Sequence, residues 1–183
     1  QLILLQGIVA MAAFLRLYRV NRLPPAAGFD QAAYGTEIFA ILDGARPVFF
    51  ETRHGREVMF SYLATLVYLA VGDAALAVYA TSALAGIATV PAVYVAAREM
   101  LADEGGTVAR WGPLLAALTL ALSHWHLSWS RLGMRVVLVP AFCALAAWAL
   151  WRGFRTGRKW AYAAAGAFLG LGMYTYQAFR IYP

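Results

Sequence analysis

Residues 74–97 read AALAVYATSALAGIATVPAVYVAA, a run that contains no charged side chain. An α-helix needs about 20 apolar residues to cross the hydrocarbon core of a bilayer, so this run is predicted to span a membrane, with Pro91 at a kink. Similar runs occur at residues 1–18, 111–129, 136–151 and 160–179. With a mean hydropathy of +0.63, they predict an all-α fold: a polytopic membrane helix bundle of about five transmembrane helices.

A long polar stretch, residues 20–73, separates the first two of these spans. Residues 31–42 within it show apolar side chains at helical spacing, and Asp30 and Gly44 are placed to cap the two ends of that helix. Residues 57–71 are apolar but too short for a span, which favours a helix that lies at the membrane surface or re-enters it. The stretch is therefore predicted to hold two juxtamembrane helices.

The same stretch gathers charge that is unusual in a chain with 62% hydrophobic residues. Arginine supplies nearly all of the net charge of +6, and its planar fork suits phosphate. The arginines flank apolar spans and form no soluble basic face, so nucleic acid is not a predicted partner. Cys143, the only cysteine, excludes an intramolecular disulfide. The charges indicate a site for a charged, lipid-borne substrate; they are Asp30, Glu37, Asp43, Glu51, Glu57, Arg46, Arg53 and Arg56.

Aromatic and basic residues also mark the ends of later spans. Residues 123–129, SHWHLSW, are typical of an interfacial aromatic belt. Arg131 and Arg135 follow, and they share one face if the segment is helical. Arg180 follows Tyr176 by about one turn at a similar boundary. Such arginines either reach for lipid headgroups or bind substrate, and the sequence leaves both alternatives open.

The order of these features resembles the GT-C class of membrane glycosyltransferases, in particular the protein O-mannosyltransferase and aminoarabinose-transferase superfamily. The order and spacing of the matching segments carry the resemblance; they are GFDQAAY (28–34), GREVMF (55–60), SHWHLSWSR (123–131) and YTYQAFRIYP (174–183). The resemblance covers all of residues 1–183 as the N-terminal part of such an enzyme. It implies a first span at 1–19, an extracytoplasmic loop at 20–73 that holds the juxtamembrane helices, and the remaining spans at 74–183.

The resemblance implies that a polyprenyl-phosphate sugar is the donor and that a protein, lipid or glycan is the acceptor, at the extracytoplasmic face of a bacterial or archaeal cell membrane. Asp30 then takes the role of catalytic base or organiser of the site. Many relatives carry an Asp-Glu pair where this chain has Asp30-Gln31, which does not favour a two-acid mechanism.

The departing phosphate needs positive charge aimed at it. Candidates for binding the donor phosphate are Arg56, Arg131, Arg135 and Arg180. Glu57 and His54 are candidate ligands for a divalent metal cation, since oxygen and imidazole ligands suit several metals. Tyr174 and Tyr176 are candidates for lining the substrate path.

Two topologies are compatible with these spans. If residues 57–71 do not cross the membrane, the chain has five spans, and the loops at 98–110 and 152–159 lie opposite the first loop. If residues 57–71 do cross, all three loops share a side, and the positive-inside rule slightly favours this second arrangement. We favour five spans because the first loop is rich in acidic residues and because of the resemblance.

Two other functions are compatible with the sequence. A transporter or flippase for an anionic lipid-linked substrate would guide it with arginines and perform no chemistry. Such a protein is expected to carry charges inside several spans, whereas the charges here lie at the span ends. A non-catalytic membrane scaffold is favoured only by Gly166 and Gly170, whose spacing lets helices approach closely.

Overall fold

The computed structural model describes residues 1–22, 28–51 and 55–181. These residues are predominantly helical with almost no sheet, which confirms the predicted all-α fold. The elements are α1 (Leu2–Leu17), α2 (Phe29–Leu42), β1 (Phe49–Phe50), β2 (Arg56–Glu57), α3 (Met59–Val71), α4 (Ala74–Met100), α5 (Gly106–Leu122), α6 (His124–Arg131), α7 (Leu138–Thr156) and α8 (Lys159–Gly172). Short 3₁₀ helices at Arg135–Val137 and Gln177–Ile181 precede α7 and follow α8.

Two of these helical segments are long and apolar enough to cross a membrane. They are α4 and the continuous segment Arg135–Thr156, which contains α7. Three further helices, α1, α3 and α5, are apolar but shorter. The chain is thus a membrane helix bundle, and the count of five spans stays a prediction.

Contacts between helix ends set the direction of the bundle. The side chain of Gln1 donates to the carbonyl of Arg110 at 2.8 Å, and Arg16 donates to the carbonyl of Ala121 at 3.2 Å. Helices α1 and α5 therefore run parallel. Tyr94, near the end of α4, donates to the Gln1 side chain at 3.3 Å, so α4 runs in the opposite direction.

The two ends of the bundle carry different loops. Gln31 of α2 donates to the carbonyl of Leu132, which joins the first polar stretch to the segment between α6 and α7. At the other end, Glu99 of α4 pairs with Arg152 and Arg155 of α7. The first polar stretch therefore lies opposite the loops at 98–110 and 152–159, as the five-span arrangement requires.

Helices α2 and α3 pack on the first half of α4 through an apolar cluster. Tyr34 and Ile38 of α2, with Phe60 of α3 and Val78 of α4, are fully buried in this cluster. The rings of Tyr34 and Phe60 lie 4.7 Å apart between centroids. Burying a side chain of this size stabilises the fold by about 1.5–3 kcal/mol. The cluster fixes α2 in position and so holds Asp30 and Glu37, which lie on the same helix face as Tyr34, beside Arg56.

Several element ends differ from the sequence-based predictions. The predicted span at 111–129 ends at Leu122, because the side chain of Ser123 caps a new helix by accepting from the amide of His126. His126 is consequently buried and not part of an interfacial belt. The predicted span at 160–179 ends at Gly172, after which the chain turns.

The predicted cap of α2 is wrong. Gly28, with an extended backbone, is the N-cap residue, and Asp30 lies inside the first turn. The carboxylate of Asp30 instead accepts from Arg56. At the other end of α2, the amide of Gly44 donates to the carbonyl of Ile41, which agrees with the predicted end.

Candidate active site

A cavity of about 520 Å³ opens where α2, the β1–β2 pair, α6 and the segment before α7 meet. It lies at the end of the bundle that holds the first polar stretch. Charged, aromatic and apolar side chains line it; they are Asp30, Tyr34, Gly55, Arg56, Glu57, Trp125, Trp129, Met134, Arg135, Val136, Tyr176 and Gln177. We call it the charged cavity.

Arg56 bridges two carboxylates of α2. Its Nη2 atom lies 2.9 Å from Oδ1 of Asp30, and its Nη1 atom lies 3.4 Å from Oε1 of Glu37. Glu37 is buried and also accepts a short hydrogen bond from Ser61 of α3. The guanidinium of Arg56 lies over the ring of Tyr34, 5.0 Å from its centroid. These partners hold Arg56 in one orientation, with Asp30 toward the cavity.

Arg135 is held in a similar way from the other side. Its Nε atom lies 3.2 Å from Oε2 of Glu57, and its Nη1 atom donates to the hydroxyl of Tyr34 at 3.1 Å. Burial raises the pKa of Tyr34, against the opposing effect of Arg135 and Arg56, so the hydroxyl stays neutral and presents a lone pair. The guanidinium also lies 5.1 Å from the ring centroid of Tyr176, within the range of a cation–π interaction.

Gly133 and Ser82 place Arg135 in the cavity. Gly133 has φ +67, and a Cβ atom there would come within 2.9 Å of Val78 Cγ1. Only glycine fits this turn, because other residues are strained at positive φ and a side chain would collide with α4. The hydroxyl of Ser82 donates to the carbonyl of Trp129 and accepts from the amide of Met134. The turn between α6 and α7 is thus fixed to α4 on both sides.

Arg180, in the C-terminal segment, lies close to Glu57, the residue that also pairs with Arg135. Its Nη2 atom lies 3.7 Å from Oε1 of Glu57, and its side chain is 48% exposed. Arg180 and Tyr174 line a neighbouring open pocket together with Phe49. The carbonyl of Tyr174 accepts from the amide of Met59 at 3.2 Å, which ties the start of α3 to the end of α8. Tyr176, by contrast, lines the charged cavity itself.

An apolar cavity of about 210 Å³ adjoins the charged cavity. The two share Trp125, Trp129 and Val136 as lining residues. His126 also lines the apolar cavity, and its buried Nε2 atom has no hydrogen-bond partner among the described residues. A charged compartment therefore opens directly beside an apolar one, which fits a ligand with a charged head and an apolar tail.

Comparison with known proteins agrees with this geometry. A family model described as dolichyl-phosphate-mannose-protein mannosyltransferase matches residues 54–182, which is more than half of the 183 residues. The chain belongs to this family. A search of curated proteins and a search of solved structures each give no match.

Membership in the mannosyltransferase family confirms the resemblance to GT-C glycosyltransferases. The chain is an integral membrane glycosyltransferase of a family that uses a lipid-linked sugar donor. The family gives no support to the transporter alternative. The matched region begins at residue 54, so it contains Arg56, Glu57 and Arg135 but neither α1 nor α2. Support for a role of Asp30 therefore comes from the geometry of the cavity and not from the family match.

The structure brings five of the predicted site residues together in the charged cavity, places Arg180 and Tyr174 at the neighbouring open pocket, and separates Arg131 from both. Asp30, Arg56, Glu57, Arg135 and Tyr176 all line the charged cavity. Arg131 does not: its guanidinium donates to main-chain carbonyls at the end of α1, those of Leu15, Arg16 and Tyr18. The premise that Arg131 and Arg135 share a helical face is wrong, because α6 ends at Arg131 and the glycine turn follows.

The predicted metal ligands are only partly described. His54 lies outside the described residues, so the predicted His54–Glu57 pair has no described geometry. Among residues 1–22, 28–51 and 55–181, no group of three or more His, Cys, Asp or Glu side chains could hold a metal ion. Both oxygens of Glu57 face guanidinium groups. The divalent metal stays a prediction, and no reaction step below depends on it.

Sequence patterns singled out neither Tyr34 nor the supporting role of Glu37, and they placed Trp125 only in an interfacial belt. Asp30, Tyr34 and Glu37 are spaced i, i+4 and i+7, which places them on one face of a helix. That spacing was a usable signal for Tyr34 and Glu37. Trp125 and Trp129 also lie four residues apart, but a tryptophan pair at a membrane boundary is equally typical of an interfacial belt.

Proposed function

We propose that the protein transfers a glycosyl group from a polyprenyl-phosphate sugar to an acceptor hydroxyl in the charged cavity. Asp30 accepts the proton of the acceptor or organises the site, and Arg56 and Arg135 bind the donor phosphate. One observation carries this proposal: an accessible carboxylate faces two largely buried guanidiniums. The side chain of Asp30 is 41% exposed, whereas Arg56 is 8% and Arg135 is 16% exposed.

The burial of the other two carboxylates of the site supports the assignment to Asp30. Glu37 and Glu57 are 3% and 2% exposed. Each faces more than one partner: Glu37 accepts from Arg56 and Ser61, and Glu57 accepts from Arg135 and forms an ion pair with Arg180 at 3.7 Å. They fix the arginines in place, and little of either carboxylate is exposed to an incoming acceptor. Asp30 is the carboxylate that an incoming hydroxyl can approach.

Arg135 keeps one donor group available for a phosphate. Its Nε and Nη1 atoms are used by Glu57 and Tyr34, and its Nη2 atom has no hydrogen bond to the described residues. Because the guanidinium is already oriented, little conformational freedom is lost when it binds an anion. Arg56 is oriented by Glu37 in the same manner and lies beside Asp30, so a phosphate between the two arginines comes close to the base.

The proposed reaction is a single displacement at the anomeric carbon. The acceptor oxygen forms a bond to C1 while its proton passes to Asp30. The bond between C1 and the phosphate oxygen breaks, and its electron pair stays on the departing polyprenyl phosphate. Arg56 and Arg135 stabilise the negative charge that develops there. Backside attack inverts the anomeric configuration.

The adjoining apolar cavity supports a position for the lipid. The first isoprene units lie against Trp125, Trp129 and Val136, which line both cavities. Tyr176 borders the charged cavity and Tyr174 borders the next open pocket, so both stay candidates for the path of the donor or the acceptor. The sugar then occupies the polar side, near Asp30 and Gln177.

We further propose that the charged cavity faces the extracytoplasmic side of a bacterial or archaeal membrane. The acidic residues of the first polar stretch support this orientation. The positive-inside rule does not, because the opposite loops contain only six of the 15 lysines and arginines; they are Arg98, Arg110, Arg152, Arg155, Arg158 and Lys159. A single cysteine at Ala45 in a Cys143→Ala background tests this. An impermeant thiol reagent should label it on intact cells; labelling only after permeabilisation contradicts the assignment.

Asp30→Asn in the intact protein tests the catalytic role. Polyprenyl-phosphate mannose with tritiated mannose serves as donor, and native membranes supply the acceptors. We expect the rate of transfer to fall by about 100-fold or more, the usual contribution of a general base, while donor binding changes little. Asp43→Asn is the matched control, because Asp43 is exposed on the same loop and does not line the cavity.

The outcome separates the two roles of Asp30. Loss of transfer in both Asp30→Asn and Asp30→Ala supports the base. Transfer that survives in Asp30→Asn but not in Asp30→Ala supports an organising role, because asparagine keeps an oxygen that can accept from Arg56. Near-normal transfer in both variants would exclude Asp30 from the site.

A further inference from the structure

A second cavity, of about 470 Å³, lies at the end of the bundle opposite the charged cavity. It is formed by the end of α4, the start of α5 and the end of α7, and polar and apolar residues line it: Val95, Arg98, Glu99, Ala102, Ala109, Trp148, Arg152 and Arg155. Ser82 anchors the turn that carries Arg135 into the charged cavity. It precedes Arg98 by 16 residues, or roughly 25 Å of helix rise. This distance is close to the thickness of a bilayer core, so the second cavity opens at the other membrane boundary.

The charges that line this second cavity do not balance. Arg98, Arg152 and Arg155 face a single lining carboxylate, that of the buried Glu99. Glu99 accepts from Arg152 at 3.2 Å and from Arg155 at 2.7 Å. Asp103 lies 3.4 Å from Arg155, but its side chain is 78% exposed to solvent. Arg98 forms no ion pair with the described residues, so the cavity keeps an excess of positive charge.

Glu99 orients the guanidiniums of Arg152 and Arg155 but neutralises only part of the positive charge of the cavity. One carboxylate cannot compensate three guanidiniums, but it fixes two of them at the mouth of the cavity. The guanidinium of Arg152 also lies 5.9 Å from the ring centroid of Trp160. Arg152 and Arg155 are about one-third exposed, so their outer N–H groups are accessible. Oriented guanidiniums bind phosphate oxygens with two parallel hydrogen bonds.

We propose that this second cavity binds the headgroup phosphate of an anionic phospholipid. Its position at a membrane boundary and its apolar lining by Val95 and Trp148 suit the junction between a headgroup and its acyl chains. Basic pockets between membrane helices are a general means of binding anionic headgroups. The site is separate from the donor cavity and does not depend on the catalytic proposal.

The test measures lipid binding by the intact protein, purified and delipidated in a neutral detergent. Dioctanoyl phosphatidylglycerol, dioctanoyl phosphatidylcholine and inorganic phosphate are titrated separately, and bound adducts are counted by native mass spectrometry. We expect phosphatidylglycerol to bind at least fivefold more tightly than phosphatidylcholine. Arg98→Gln should weaken the binding of phosphatidylglycerol roughly fivefold, the effect of one basic residue near anionic lipid.

Arg158→Gln is the matched control, because Arg158 is exposed at the same end and does not line the cavity. It should bind phosphatidylglycerol as the unmodified protein does. Equal affinity for the two phospholipids, an equal loss in Arg98→Gln and Arg158→Gln, or inorganic phosphate binding as tightly as phosphatidylglycerol would each overturn the proposal. The comparison of lipids on the unmodified protein holds even if a variant fails to fold.

Discussion

The guanidinium of Arg131 donates to the carbonyl oxygen of Leu15 at 2.8 Å, and so joins the end of α6 to the end of α1. The last carbonyls of a helix have no partner within the helix and need one from elsewhere. Arg131 also donates to the carbonyls of Arg16 and Tyr18. Four residues later, Arg135 serves a different purpose: it lines the charged cavity and pairs with Glu57.

Arg131→Gln and Arg135→Gln are therefore expected to have different effects. Loss of Arg131 removes hydrogen bonds to the carbonyls that end α1 and should lower the free energy of unfolding by about 2 kcal/mol. It should leave the KM for the lipid-linked donor unchanged in the folded fraction. Loss of Arg135 removes a charge-assisted contact to the phosphate and should raise that KM about tenfold or more.

Thermal unfolding and donor titration on the two purified variants check this prediction. Arg131→Gln also controls for general destabilisation, because it weakens the fold without touching the cavity. A tenfold rise of the donor KM in Arg131→Gln, or an unchanged KM in Arg135→Gln, would show that the two arginines were assigned to the wrong tasks.

Gly133→Ala should disturb the site through the turn that precedes Arg135. The alanine side chain would be strained at φ +67 and would come within 3.0 Å of Tyr79 Cδ1 as well as 2.9 Å of Val78 Cγ1. Left-handed strain and overpacking together should cost about 3 kcal/mol. The donor KM should rise too, because Arg135 shifts with the turn.

Gly157→Ala is the matched control for backbone strain. Gly157 has φ +64, but nothing lies within 4 Å of a Cβ atom there. It should cost only about 1 kcal/mol and leave the donor KM unchanged. Denaturation and kinetics measured side by side would contradict the packing argument if the two alanine variants lost equal stability.

The sequence predicted the parts of the site that local patterns govern. The helix at 31–42 and the short apolar helix at 57–71 both exist, within two residues of their predicted ends. Asp30, Arg56 and Arg135 were assigned by charge and family resemblance, and they meet in one cavity. The predictions that were wrong concern residues whose contacts lie in distant parts of the chain. Nothing near Arg131 in sequence indicates that its partners are carbonyls more than 100 residues earlier.

The prediction that His126 belongs to an interfacial belt is wrong for the same reason. Its neighbours in sequence are those of an interfacial belt, yet Arg16, 110 residues earlier, lies 2.9 Å from its Nδ1 atom. Glu37 is an intermediate case, because its helical spacing from Asp30 was visible but its partners Arg56 and Ser61 were not. Local periodicity thus fixes which face a side chain occupies, and only the packed structure reveals what that face meets.

Arg16→Lys should weaken the junction of α1, α5 and α6. Arg16 is fully buried, and it donates to the carbonyl of Ala121 while its other nitrogens contact His126 and Ser130. Lysine keeps the charge but cannot reach three partners with one ammonium group. The free energy of unfolding should fall by about 2 kcal/mol.

Arg22→Lys is the control for that change, because Arg22 is exposed at the end of the same segment. It should alter stability by less than about 0.5 kcal/mol. Equal unfolding temperatures for Arg16→Lys and the unmodified protein would mean that the fork geometry of Arg16 contributes nothing to the junction.

Tyr34→Phe tests the neutral hydroxyl beside Arg135. Removing the acceptor of the hydrogen bond from Arg135 should cost about 1.5 kcal/mol at pH 8 and raise the donor KM, since the guanidinium is less firmly held. Burial raises the pKa of Tyr34 above the ordinary tyrosine value of about 10. Below that value the hydroxyl is protonated in both the folded and the unfolded chain, so its titration changes nothing.

As the pH rises above 10.0, the unfolded chain loses the Tyr34 proton first, and the folded state loses stability relative to it. Tyr34→Phe should therefore show a smaller alkaline loss of stability than the unmodified protein. The control is Tyr162→Phe, because Tyr162 is 42% exposed and should keep the full alkaline loss. The measurement is the unfolding temperature of each variant between pH 8 and pH 11. If it falls equally steeply with pH in Tyr34→Phe and Tyr162→Phe, Tyr34 titrates as an exposed tyrosine and is not the buried partner of Arg135.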